Sequence, residues 1–75
     1  MVNIGEIIKQ RVRELKLSNV YVAKQLGCHR TNLYKIYGRS SIDTGILYHL
    51  CIILDYDFFE LYSKELKRER KKSSK

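Results

Sequence analysis

The chain has no proline and only four glycines among 75 residues, so over most of its length nothing interrupts a helix. Long apolar runs are also missing. The longest, residues 46–54, is broken by His49 and is far too short to cross a bilayer, and no segment has the layout of a signal peptide. Both absences lead to the expectation of a cytoplasmic protein with no membrane partner. Cysteine is scarce: Cys28 and Cys51 both lie in apolar surroundings that suit small buried thiols, and a reducing compartment would keep them unpaired. A chain this short makes one domain and buries only about 60% of its unfolded surface, which leaves little room for catalytic machinery.

Positive charge is what the chain has in excess. A formal net charge of +7 and a pI near 9.6 point to an anionic partner. The distribution is uneven, because the last twelve residues hold seven cations (Lys64, Lys67, Arg68, Arg70, Lys71, Lys72, Lys75) against Glu65 and Glu69, a net of +5. The Lys/Arg/Ser composition after Leu66 reads as a solvated, disordered tail, giving a domain over 1–66 and a basic tail over 67–75.

Five segments carry a 3.6-residue apolar period, and each follows a start signal, so an all-α, five-helix fold is expected. The first covers 4–16, capped by Asn3, with Ile4, Ile7, Ile8, Val12 and Leu15 on one face and Arg11, Arg13 and Lys16 suiting its C-terminal end. The second, 19–26, follows Ser18 and turns Val22, Ala23 and Leu26 inward before Gly27 stops it. The third, 30–37, has Leu33 and Ile36 inward and ends at Gly38. The fourth spans 44–54 after Asp43, with Gly45 weakening it, and the fifth 58–66 after Asp57, which pairs with Glu60 as a capping box. At every start an apolar residue precedes the cap and can meet one in the second turn: Val2 with Ile7, Leu17 with Val22, Cys28 with Leu33, Ile42 with Leu47, Tyr56 with Leu61.

The stretch from Ala23 to Ile36 carries the functional signal. Two helices joined by a short turn must cross closely, which calls for a small side chain such as Ala23 at the contact and a residue such as Gly27 that can turn the chain. With Leu33 and Ile36 inward, Arg30, Thr31, Tyr34 and Lys35 must point outward. Arg or Lys can reach guanine O6 and N7, and a Thr methyl can touch thymine. A solvated face on a bundle would present the same pattern.

With its flanking helices, the segment 4–62 resembles the lambda-repressor-like (Xre-type) helix-turn-helix DNA-binding family. The resemblance rests on the Ser18-Asn19 start, the Ala23/Leu26/Gly27/Leu33/Ile36 signature, and the Leu54-Asp55-Tyr56-Asp57-Phe58-Phe59 turn. An Arg-x-Asn-apolar-Tyr segment, an Ile-Asp-Thr-Gly and a Tyr-Asp-Phe-Phe are similar to short regulators of Bacteroidetes. The resemblance implies a transcriptional regulator, a repressor, that acts as a dimer on double-stranded DNA. It places Arg30, Thr31 and Lys35 on base edges. His29, Asn32 and Tyr34 fall on bases or backbone. Asn19 and the loop Arg39, Ser40 and Ser41 fall on phosphates. His29, standing where the family has a small hydroxyl cap, and Tyr37, where an acidic residue is common, depart from the pattern.

Val20, Tyr21, Tyr48 and Ile52 occupy positions the family often makes polar. They are either single exposed apolar residues or a face for a homodimer or another chain, and the second case leaves open an adaptor or antitoxin. Cys28, His29, His49 and Cys51 offer zinc ligands by type, but helical geometry turns them apart, so no metal is expected. No catalytic site, cofactor or small-molecule ligand is evident, since His29 and His49 have no positioned nucleophile or carboxylate beside them.

Overall fold

Each helix begins where a neighbouring group can take up its free amides. The computed structural model describes residues 2–73, with α1 (Ile4–Glu14), α2 (Asn19–Leu26), α3 (Arg30–Tyr37), α4 (Thr44–Leu54) and α5 (Phe59–Ser73), and no strand among the described residues. Ser18 Oγ accepts from the Tyr21 amide at 3.0 Å and Asp43 Oδ1 from the Gly45 amide at 2.6 Å. Asp57 Oδ1 accepts from Phe59 and Glu60 at 3.1 and 3.3 Å. Each bond satisfies a donor that a helix start leaves unpaired. Two expected caps differ. Asn3 makes no side-chain bond to α1, and the free first-turn amide of Gly5 is met by the Arg39 carbonyl instead, at 3.0 Å. The Asp57 box is half formed, because the Glu60 carboxylate turns to Lys64, 3.5 Å away on the next turn.

The exits of α1, α2 and α4 share one backbone device. The amides of Leu17, Cys28 and Tyr56 return to the carbonyls of Val12, Ala23 and Cys51 at 3.0–3.1 Å. They do so across a left-handed residue: Lys16 (φ 56), Gly27 (φ 80) and Asp55 (φ 50) respectively. Glycine takes that conformation without strain, so Gly27 turns the chain directly from α2 into α3. Lys16 in the same role ends α1 at Glu14 rather than at residue 16, and Leu15, expected inside, is exposed. Gly38 keeps a right-handed backbone, so α3 ends without using glycine's freedom.

Ile4, Ile8 and Val12 of α1 join Val22, Ala23, Leu33, Ile36, Leu47, Leu50, Leu54 and Phe58 in one buried cluster. Ile7 and Leu26, expected inward, sit half-buried at its edge. α1 packs on α3 and α4, and α2 packs on the same two, so the first four helices form the body. Arg11 lies in the last turn of α1, as expected, with one terminal nitrogen 3.6 Å from Glu14, and it also reaches beyond its own helix. Its Nε and one terminal nitrogen donate to the carbonyls of Leu54 and Asp55, each at 3.1 Å, while its guanidinium lies 5.3 Å from the Tyr56 ring centre. That contact fastens α1 to the end of α4.

Phe58 fills the core, and from there α5 leaves the body, tied to the chain start by the Val2 amide donating to Glu65 Oε2 at 2.9 Å. The helix continues through Ser73, where disorder was expected from residue 67. Lys, Arg and Glu are good helix formers, and without Pro or Gly the charged segment propagates the turn that precedes it. Ser74 and Lys75 of the expected tail lie outside the described residues. The projecting helix stretches the molecule to 48 × 20 × 19 Å.

Candidate nucleic-acid interface

Burial of two residues orients the whole of α3. Leu33 is 0% and Ile36 9% exposed. Helical geometry then turns Arg30, Thr31, Asn32, Tyr34 and Lys35 outward, and all five are exposed. The loop residues Arg39, Ser40 and Ser41 are exposed as well. The side chains of Arg30, Lys35 and Arg39 make no hydrogen bond or ion pair among the described residues, so their charged groups face solvent. Residues 15–42 contain the five cations Lys16, Lys24, Arg30, Lys35 and Arg39 and no carboxylate, which makes α2, α3 and their loops locally basic.

His29 itself caps α3, in place of a small hydroxyl residue. Its Nδ1 accepts from the Thr31 amide at 3.2 Å and lies 3.0 Å from Thr31 Oγ1. Acceptance at Nδ1 places the neutral ring's proton on Nε2, which leaves an outward N–H donor. Thr31 is itself exposed, with its hydroxyl engaged by His29.

Asn19 is half-buried at the start of α2, where its Oδ1 accepts from the Tyr37 hydroxyl at 2.8 Å. Fixing Oδ1 fixes the opposite side of the carboxamide, so the Asn19 NH₂ remains as a donor. Burial pushes the Tyr37 hydroxyl up to about 12 from 10.0, with nearby Tyr34 adding to the rise and Arg13 opposing it. Both residues line an open cleft of about 510 Å³ together with Lys9 and Arg13 of α1, Tyr34 of α3 and the single carboxylate Glu6. Lys9, Arg13 and Tyr37 are contributors that sequence pattern alone did not single out. The four-residue spacing of Lys9 and Arg13 on the polar side of α1 is the signal that could have found the first two.

Asn32, Lys35 and Arg39 meet in a second groove of about 330 Å³, walled by Ile46 and by His49 of α4. His49 is a further polar group at this surface. Val20 lines a separate cleft beside Lys24, His29 and Arg30, whereas Tyr48 and Ile52 share a shallow groove with Tyr56 and Phe59. The four apolar residues considered together from sequence are all exposed, and these grooves divide Val20 from Tyr48 and Ile52.

Cys51 Sγ accepts from the Phe58 amide at 3.4 Å, and Cys28 is a half-buried free thiol. Among the described residues no group of three or more His, Cys, Asp or Glu side chains could hold a metal ion, and no helix is long and apolar enough to cross a membrane. Compared with family models, curated proteins and solved structures, the chain matches none of them.

Proposed function

We propose that the protein is a sequence-specific regulator of transcription, a repressor, of the lambda-repressor-like type. In this reading α2, the turn 27–29 and α3 make a helix-turn-helix, and α3 enters the major groove of double-stranded DNA. The observation that carries the reading is the division of α3 into a buried Leu33/Ile36 side and an exposed side of Arg30, Thr31, Asn32, Tyr34 and Lys35 within a carboxylate-free segment. Arg30, Thr31 and Lys35 read base edges, with His29, Asn32 and Tyr34 beside them on bases or backbone. Asn19, Arg39, Ser40 and Ser41 hold phosphates and set the register. A dimer meets two half-sites about one helical turn, ~10 base pairs, apart.

Selection of bound sequences from a random duplex pool tests this directly. Arg30→Ala should lose about 1–3 kcal/mol and relax preference at one base position, whereas Arg39→Ala should weaken all duplexes alike and flatten the salt dependence. An Arg30→Ala protein that binds the selected duplex as tightly as the parent would refute the assignment.

A second reading, an adaptor or antitoxin that binds another protein chain, draws on the exposed apolar groove at Tyr48, Ile52, Tyr56 and Phe59. Recovery of a stoichiometric partner together with weak, salt-independent DNA retention would favour it.

A further inference from the structure

Charge on α5 is sorted by side. Leu61 and Glu65 are half-buried, Glu65 accepting the Val2 amide, and Glu69 follows four residues on, so the carboxylates beyond Glu60 continue one side of the helix. Lys64, Lys67 and Lys71 follow one another at three and four residues along a different side, with Arg68 beside them. Lys64 is paired with Glu60 at 3.5 Å, whereas the side chains of Lys67, Arg68 and Lys71 make no hydrogen bond or ion pair among the described residues. Together with Arg70, these four cations line one open groove that has no carboxylate in its walls. Like charges gathered on an exposed helix repel one another, so the stripe gains from an anionic partner.

The residues around the stripe decide which anion fits. A helix that rests on an anionic membrane has an apolar face and a polar face rich in cations. In α5 the apolar Tyr62 and Leu66 are bordered on one side by Glu65 and Glu69, which an anionic membrane repels. Single-stranded nucleic acid is held by aromatic rings set among the cations, and the stripe contains none. A duplex asks only for spaced cations. Residues 64–71 advance about 10.5 Å, a length over which each strand carries about three phosphates. The place of α5 gives a second reason: Glu65 holds the Val2 amide, and three residues on the Gly5 amide meets the Arg39 carbonyl at 3.0 Å. Three residues of chain reach at most about 11 Å, so Glu65 stands near the loop 39–41 and the stripe continues outward from there.

We propose that Lys67, Arg68 and Lys71 form a second, sequence-independent contact with duplex DNA, on phosphates that flank the segment read by α3. The inference deepens the DNA reading and rests on it for placing those phosphates beside α3.

Binding of the full chain to DNA duplexes over a range of salt concentrations is the test. The triple variant Lys67→Gln, Arg68→Gln, Lys71→Gln keeps good helix formers at exposed positions, and circular dichroism checks its fold. On a random-sequence duplex, and on the selected duplex with long flanks, it should bind at least tenfold more weakly. Its salt slope should be shallower by about 2–3, the value for three phosphate contacts, with base preference unchanged. On the selected duplex trimmed of its flanks, parent and variant should bind alike. A variant with the parent's affinity and slope overturns the inference, and if Arg30→Ala still relaxes base preference the α3 reading stands without it. An equal loss on trimmed and flanked duplexes also overturns it, reducing the effect to net charge. Weaker binding of the variant to random duplex, with Arg30→Ala having no effect, supports the α5 contact and refutes the α3 reading. Vesicles of phosphatidylserine and phosphatidylcholine that retain the parent but not the variant, with duplex binding unchanged, overturn the inference in favour of a membrane surface.

Discussion

The amide of Gly5 donates to the carbonyl of Arg39 at 3.0 Å, joining the first turn of α1 to the loop that follows α3. A Cβ at position 5 would stand about 2.5 Å from the carbonyl oxygens of Ile36, Tyr37 and Arg39, so only glycine allows this approach. The contact fixes the backbone just where Arg39, Ser40 and Ser41 leave the helix. Gly5→Ala should therefore cost about 2–3 kcal/mol in urea unfolding, the scale of an overpacked core position. An unchanged midpoint would mean that α1 and α3 separate easily.

Arg11 holds the last carbonyls of α4 through two charge-assisted hydrogen bonds. Arg11→Ala should destabilise the fold by about 2 kcal/mol, and Arg11→Lys should recover only part of that, since one ammonium cannot reproduce the planar fork. Chemical denaturation of the two variants decides the point. Equal stabilities for lysine and arginine would reduce the contact to simple charge.

Lys16 and Asp55 take a left-handed backbone with ordinary side chains. Lys16→Gly removes the Cβ clash at an exposed helix end, and thermal unfolding should report a gain of about 0.5–1 kcal/mol. A loss would show that the lysine stem contributes packing there.

The Tyr37 hydroxyl, pushed up to about 12 from 10.0 by burial, favours its protonated form in the folded chain. Its contribution to stability is thus complete below pH 10 and is lost as the pH climbs through about 12. The parent should lose stability more steeply over that interval than Tyr37→Phe, which lacks the group. Tyr62, also raised by burial and by Glu65, titrates in both proteins and cancels in the comparison. Parallel stability curves would contradict the burial that raises the Tyr37 hydroxyl.

Helix limits and the core were legible where local chemistry decides them. Ser18, Gly27, Asp43 and the apolar spacing of Leu33 and Ile36 each act within one or two turns, and the spans of α2, α3 and α4 follow from them. Contacts that stayed hidden in the sequence join residues far apart along it. Arg11 reaches across to α4, Tyr37 to Asn19 and Gly5 to Arg39, and no periodic pattern encodes such contacts. The end of α5 was misjudged for a different reason: a run of Lys, Arg and Glu has the composition of a solvated tail and the propensity of a helix, and the helix prevails through Ser73. Of the candidate site, the exposed row on α3 was legible from periodicity. The spacing of Lys9 and Arg13 shows that they share one side of α1, but their place beside that row, like that of His49, depends on how α1 and α4 dock.

Titrating ¹⁵N-labelled protein with its selected duplex is the most direct measurement of where DNA would bind. Amide shifts should concentrate at residues 29–35, at 39–41 and at Asn19, and should diminish as salt is raised. Shifts confined to Tyr48, Ile52 and Phe59, or no shifts with any duplex, would contradict a DNA-reading role for α3.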